Sequence, residues 1–154
     1  MMMTTMNQVN IVYVLVAVCA VLVTSILGTI FTNRGVKSVW YQKVKHPTLT
    51  PPGYVFSIVW TFLYATIVFA LYEVLTKHKG DTVLLALYAI NLVLNVAWCY
   101  TFFTAQKPSL ALMVMVAIWI STYVIIVRQR TFILVPYLAW LTFAFYLNYY
   151  ASLL

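Results

Sequence analysis

Five long stretches without a charged residue divide the chain: 9–33, 47–72, 82–106, 108–127 and 131–154. None shows the alternation of apolar and polar positions, in segments of about ten residues, that a membrane β-barrel requires. Each is long enough for a helix to cross the bilayer, since about 20 apolar residues span roughly 30 Å of hydrocarbon. The pattern predicts an all-α integral membrane protein, a five transmembrane helix bundle forming a single domain over residues 1–154. The expected helices run over about 9–32, 52–76, 82–105, 109–127 and 131–153. Residues 33–51 form the longest connection.

Punctuation supports these boundaries. Asn33-Arg34-Gly35 ends the first helix. Pro47, Pro51 and Pro52 push the residues before them out of helical geometry, so the connection must fold back before the second helix begins. With Trp40 and Tyr41 as apolar cover, it can lie across the end of the bundle as a lid; the alternative is that these two rings only belong to the interfacial aromatic belt. Asp81 or Thr82 can cap the third helix. Gln106-Lys107-Pro108-Ser109 and Arg128-Gln129-Arg130 are short links, and the fifth helix carries Pro136 inside it. Ala20, Thr24 and Gly28 recur every four positions, a spacing that lets membrane helices approach closely.

Composition agrees with this reading. Of 154 residues, 65% are hydrophobic and 7% charged, against about a quarter charged in soluble domains. The net charge of +7 does not indicate nucleic-acid binding, because the nine cations sit in the gaps between helices, where they anchor helix ends against headgroups. Five fall in the first and third gaps (Arg34, Lys37, Lys43, Lys45, Lys107) and four in the second and fourth (Lys77, Lys79, Arg128, Arg130). That balance gives no orientation. Residues 1–8 contain no Lys or Arg and the first apolar run exceeds a signal core, so it is expected to remain as a helix. Cys19, Cys99, His46 and His78 show no metal-ligand spacing, and no metal or cofactor is expected.

Polar and aromatic residues inside the spans carry the candidate chemistry. Asn91, Asn95, Trp98 and Phe102 share one face of the third helix. Tyr137, Trp140, Ala144, Leu147 and Asn148 do so on the fifth, and Trp60 and Tyr64 on the second. Two readings stand. The amides can join helices through interhelical hydrogen bonds while the rings fill the core, or amides and indoles can line a cavity for a flat, apolar, polar-edged ligand. Glu73 and Asp81 lie at helix ends, and no catalytic set can be assembled. The lack of a mid-membrane acid and of an internal repeat disfavours a coupled transporter.

Three segments resemble a known family. W-Y-x-K-V-K-H-P-T-L-T-P-P-G-Y-V-F-S-I-V-W-T-F-L-Y (residues 40–64), L-N-V-A-W-C-Y-T-F-F (94–103) and V-P-Y-L-A-W-L-T-F-A-F-Y-L-N-Y (135–149) resemble, in order and spacing, the signatures of the translocator protein family, TspO/MBR, also called the peripheral-type benzodiazepine receptor family. The resemblance implies a five-helix bundle, commonly a homodimer, with a pocket capped by the first connection. It implies ligands such as protoporphyrin IX, sterols in some lineages, and isoquinoline carboxamides or benzodiazepines. The implied pocket includes Trp60, Asn91, Trp98, Trp140, Ala144 and Leu147, to which the face analysis adds Tyr64, Asn95 and Tyr137; Trp40, Pro47, Pro51 and Pro52 belong to the lid. Binding as sensor, scavenger or carrier is the expected function. A light-dependent breakdown of porphyrin, with Trp60 and Trp140 as catalytic residues, and transport of porphyrins or sterols are the alternatives. The chain departs from the family pattern at His46 before Pro47 and at Leu49, where the family usually has Lys and Trp. No cation follows Tyr149 or Tyr150, so the sterol-recognition motif is incomplete. The expected location is a bacterial cell membrane, or the mitochondrial outer membrane in a eukaryote.

Overall fold

The computed structural model describes residues 2–153, with side chains from Asn10 onward. Helix α1 runs Met2–Gly35, its apolar part Asn10–Gly35. A one-turn helix α2, Val39–Lys43, lies within the first connection. Then come α3 (Gly53–Lys77), α4 (Thr82–Cys99, continued by a π-helical turn Tyr100–Thr104), α5 (Pro108–Gln129) and α6 (Val135–Ala151).

Among the described residues, four helices are long and apolar enough to cross a membrane: α1, α3, α4 with its π turn, and α5. The expected fifth span over 131–153 is shorter. Helix α6 has 17 residues, about 25 Å at 1.5 Å per residue. Proline explains the difference. Its ring clashes with the preceding turn anywhere but at a helix start, so Pro136 is not internal but sits in the first turn of α6, and residues 131–134 form a tight turn instead. Arg130, in the left-handed conformation at φ 56°, ends α5.

Helix α1 packs against α3 and α4, α4 against α5, and α5 against α6. The helices thus circle in the order α3–α1–α4–α5–α6, and α6 meets α3 over a short stretch only. The inward face of α1 is Ala17, Val21, Thr24 and Gly28, while Ile11, Leu15, Leu22 and Ile26 point outward to lipid. A Cβ on Gly28 would lie 3.3 Å from Cys99 Sγ. The small-residue stripe therefore serves contact within this chain, between α1 and α4.

Hydrogen bonds between side chains lock the bundle where lipid offers none. Near the end away from the first connection, Gln129 of α5 donates to the Ala70 carbonyl of α3 at 2.9 Å and accepts from Tyr88 OH of α4 at 2.7 Å. One amide thus joins three helices. At the same end Asp81 caps α4, accepting from Leu84 N at 3.0 Å, and pairs with Arg128 at 3.0 Å; Glu73 pairs with Lys77. Both acids are thereby matched at this end.

Two outcomes follow. Gln129→Leu strands the buried Tyr88 hydroxyl and should lower stability by about 1–2 kcal/mol, read as a reduced thermal midpoint in detergent. The Arg128 hydrogen bond, then that of Leu84 N–H, holds the Asp81 carboxyl below its ordinary value. A depressed carboxylate stabilises the fold above its unfolded pKa, about 3.9, and loses that contribution as pH falls through the folded value. The thermal midpoint should thus drop on acidification below about pH 4, and Asp81→Asn should flatten that part of the profile.

Candidate ligand pocket

The first connection folds over one end of the bundle. Ser38 starts α2, accepting from Tyr41 N at 3.1 Å and donating to the Gly35 carbonyl at 2.7 Å. This turns Trp40, Tyr41 and Val44 inward. Val44, 4% exposed, packs with Phe102, Phe103, Ala111 and Ala151 in a small core distinct from the main one. Trp40 meets Phe102 edge-on at 5.7 Å, and Tyr41 meets Phe103 at 5.7 Å. The buried Pro47 closes a turn in which its carbonyl accepts from Thr50 Oγ1 at 2.7 Å and Thr50 N at 3.0 Å. Pro51 is half-buried, and Pro52 is the N-cap of α3. Lys45 Nζ donates to the Leu153 carbonyl at 3.3 Å, tying the connection to the end of α6. Burial pushes the Tyr41 phenol pKa up.

Beneath this cover lies a cavity of about 60 Å³. Its wall is Trp98, Phe102 and Phe103 from α4 and its π turn, with Ala144, Leu147 and Asn148 from α6 opposite. Phe56 of α3 closes one side, and Tyr41, His46 and Thr50 form the roof. The π turn decides this wall. The bond from Ala105 N to the Tyr100 carbonyl, 2.8 Å, spans five residues rather than four and widens the helix, so Phe102 and Phe103 are both buried. Phe102 stacks on Trp98 at 5.4 Å and 20°. Trp98 Nε1 donates to Asn148 Oδ1 at 2.9 Å, and Asn148 Nδ2 donates to the Pro108 carbonyl at 2.8 Å. This chain fixes the indole across α4, α6 and α5.

Of the residues singled out from the sequence, Trp98, Ala144 and Leu147 line this cavity. Asn91, Asn95 and Tyr137 lie deeper, in a closed network. Asn91 Nδ2 donates to Ser121 Oγ at 2.8 Å and Thr122 Oγ1 at 2.9 Å, Tyr137 OH donates to Asn91 Oδ1 at 3.1 Å, and Asn95 Nδ2 donates to Tyr137 OH at 2.7 Å. These amides join α4, α5 and α6 as structural glue. Trp60 packs on Tyr64 at 5.3 Å and on Tyr137 at 6.2 Å, bridging α3 to α6. Trp140 packs on Phe56 at 5.6 Å, one ring behind the cavity wall. Its Nε1 is buried with no hydrogen-bond partner.

Phe56 and Phe103 in the wall, and His46 and Thr50 in the roof, stand outside the polar and aromatic faces legible in the sequence. The π turn that brings in Phe103 leaves no signature in composition. Phe56 could have been found, since it stands four residues before Trp60 on one helix face. No three His, Cys, Asp or Glu side chains cluster as a metal site among the described residues.

Comparison with known proteins gives this geometry its relatives. The TspO/MBR family profile matches residues 15–154. The chain belongs to the TspO/MBR family. It is 33% identical over 153 residues to the "Tryptophan-rich protein TspO" of Archaeoglobus fulgidus, covering 94% of this chain and 98% of that one. It is 33% identical over 118 residues to the "Tryptophan-rich sensory protein" of Cereibacter sphaeroides, covering 73% and 74%. The bovine "Translocator protein" is 32% identical over 133 residues, covering 80% and 78%. This chain is thus a multi-pass membrane protein of that family, and the family's first connection is here a packed cover over a small aromatic cavity.

The cover depends on a close approach. A Cβ on Gly35 would lie 2.4 Å from Phe103 Cβ and 2.6 Å from its backbone oxygen. Gly35→Ala should therefore cost about 1–3 kcal/mol through overpacking and raise the rate of proteolysis within residues 36–52, measured by timed digestion in detergent.

Proposed function

We propose that this protein binds tetrapyrroles and similar flat apolar molecules in the capped cavity, acting as a sensor, scavenger or carrier within the membrane. The observation that carries the reading is the cavity itself: an indole–phenyl stack on one wall, small and aliphatic residues on the other, and a folded connection above. Such a slot suits a planar ring system, which gains from stacking on aromatic faces. The unpartnered Trp140 N–H adds a polar handle. A buried donor without a partner is costly, and a ligand carbonyl or carboxylate would satisfy it once Phe56 rotates aside. The names "sensory" and "translocator" among the relatives accord with a binding role. In this reading α6 is the fifth crossing, a short one, because its buried face completes the pocket.

At about 60 Å³ the cavity is far below the roughly 300–1,000 Å³ of ligand sites. Occupation therefore requires the first connection and Phe56 to move. That movement distinguishes this site from a preformed one, and binding should be slow compared with diffusion.

The test is titration of the purified protein with protoporphyrin IX in the dark, following tryptophan emission. Quenching should saturate at about micromolar concentration, an ordinary affinity of about −8 kcal/mol. Ala144→Phe, which fills the cavity, should weaken binding at least tenfold while the thermal midpoint shows the protein still folded. Trp140→Phe should weaken it by a smaller factor through loss of the N–H. Unchanged affinity in Ala144→Phe, or no saturable quenching in the unaltered protein, overturns the reading.

A further inference from the structure

Beyond Trp140, helix α6 carries a ladder of rings that neither the amide network nor the cavity uses. Behind Phe56 it begins at Trp140 and climbs one helix face through Phe143, Tyr146 and Tyr150. Ring centroids lie 5.5 Å apart from Trp140 to Phe143, 6.4 Å from Phe143 to Tyr146 and 5.0 Å from Tyr146 to Tyr150. The run leads from the pocket wall to the membrane surface. Tyr150 is 37% exposed in the last turn of α6, at the end where Lys45 ties the cover to Leu153. Interfacial anchoring explains a tyrosine there. It does not explain Tyr146 and Phe143, half-buried one and two turns deeper.

Indole and phenol are the aromatic side chains that release one electron most readily, whereas a phenylalanine ring only bridges. A phenol gives up its electron together with its proton, so the end of such a path needs a proton acceptor. Tyr150 has water at the interface. Tyr137, in contact with Trp60, has none: it is buried and its hydroxyl donates to the Asn91 amide, which accepts a hydrogen bond but is no base. No protein group takes the N–H proton of Trp140, and one shared with a ligand carboxylate returns when the indole is reduced.

We propose that Tyr146 and Tyr150 form an electron relay that reduces Trp140 after its oxidation beside a light-excited tetrapyrrole, carrying the oxidising equivalent to the membrane surface. This rests on the porphyrin reading above. The excited ring passes one electron to dioxygen, giving superoxide and a porphyrin cation radical. That radical takes one electron from Trp140 and is neutral porphyrin again. Trp140 takes one electron from Tyr146 across Phe143, and Tyr146 takes one from Tyr150. Tyr150 releases its hydroxyl proton to water and ends as a neutral tyrosyl radical. In sum, one electron moves from a phenol to dioxygen, one proton enters water, and no bond to the porphyrin is made or broken. The relay thus spares Trp140.

The test uses the full-length protein in detergent, loaded with protoporphyrin IX, illuminated in air and frozen for electron paramagnetic resonance. A tyrosyl signal should appear, narrow when the tyrosines are ring-deuterated, and be lost when dioxygen is removed. In Tyr146→Phe/Tyr150→Phe it should be lost, and oxygenated Trp140, measured by mass spectrometry per bound porphyrin, should rise. Phe143→Leu, which keeps every phenol, should show the same pair of changes. Tyr123→Phe, on α5 and outside the ladder, should behave as the unaltered protein. A tyrosyl signal retained in the double variant or without dioxygen, one lost in Tyr123→Phe, or Trp140 oxidation unchanged in the double variant overturns the relay. Bound porphyrin with no tyrosyl signal overturns it too and leaves the pocket standing, whereas failure to bind porphyrin removes both.

Discussion

Everything in this molecule answers to one constraint: within hydrocarbon, a polar group must find its partner inside the protein. The few polar side chains in the spans are accordingly placed where helices meet. Asn91, Asn95 and Tyr137 close a network with Ser121 and Thr122 that joins α4, α5 and α6. Gln129 joins α3, α4 and α5. Asn148 fixes Trp98 and the start of α5. Apolar packing alone would choose poorly between helix registers in lipid, because a leucine facing a neighbour and a leucine facing an acyl chain are nearly equivalent. The amides make the choice.

Against that background the Trp140 indole N–H stands out as the buried side-chain donor left without a partner among the described residues. It lies where the ring of helices is thinnest, at the seam between α3 and α6, which is bridged by the aromatic pairs Phe56–Trp140 and Trp60–Tyr137. Tyr137 is held by Asn91 and Asn95, but Phe56 and Trp140 can rotate without breaking a hydrogen bond, so their part of the seam is the part of the wall most able to yield. The cover above it is attached through Val44, two aromatic contacts and the exposed bond from Lys45 to the Leu153 carbonyl, and its satellite core is far smaller than the main one. Local stability follows the amount of buried apolar contact, so the cover opens more readily than the bundle beneath.

Much of this was legible beforehand. Five uncharged runs, the prolines before α3 and the cations between spans set the helical class and the position of the folded connection. The periodic faces pointed to Asn91, Asn95 and Trp98 together, but periodicity reports only which side of a helix a residue occupies. It could not separate the amides that bond one another from the indole that faces a cavity, since Asn91 and Trp98 share a face and lie nearly two turns apart in depth. Helix α6 is shorter than the uncharged run 131–154 for a local reason, as Pro136 begins that helix rather than interrupting it.

The sequence by itself determined the solvent of this protein and the places of its four long apolar helices and of the folded connection, because these follow from hydropathy and from backbone rules that act within a few residues. The depth of the pocket, its closure by Phe56 and Phe103, and the arrival of His46 over it were decided by the tertiary structure alone. They depend on a π turn at the end of α4 and on the docking of α2, and each of these is held by contacts between residues far apart in the chain.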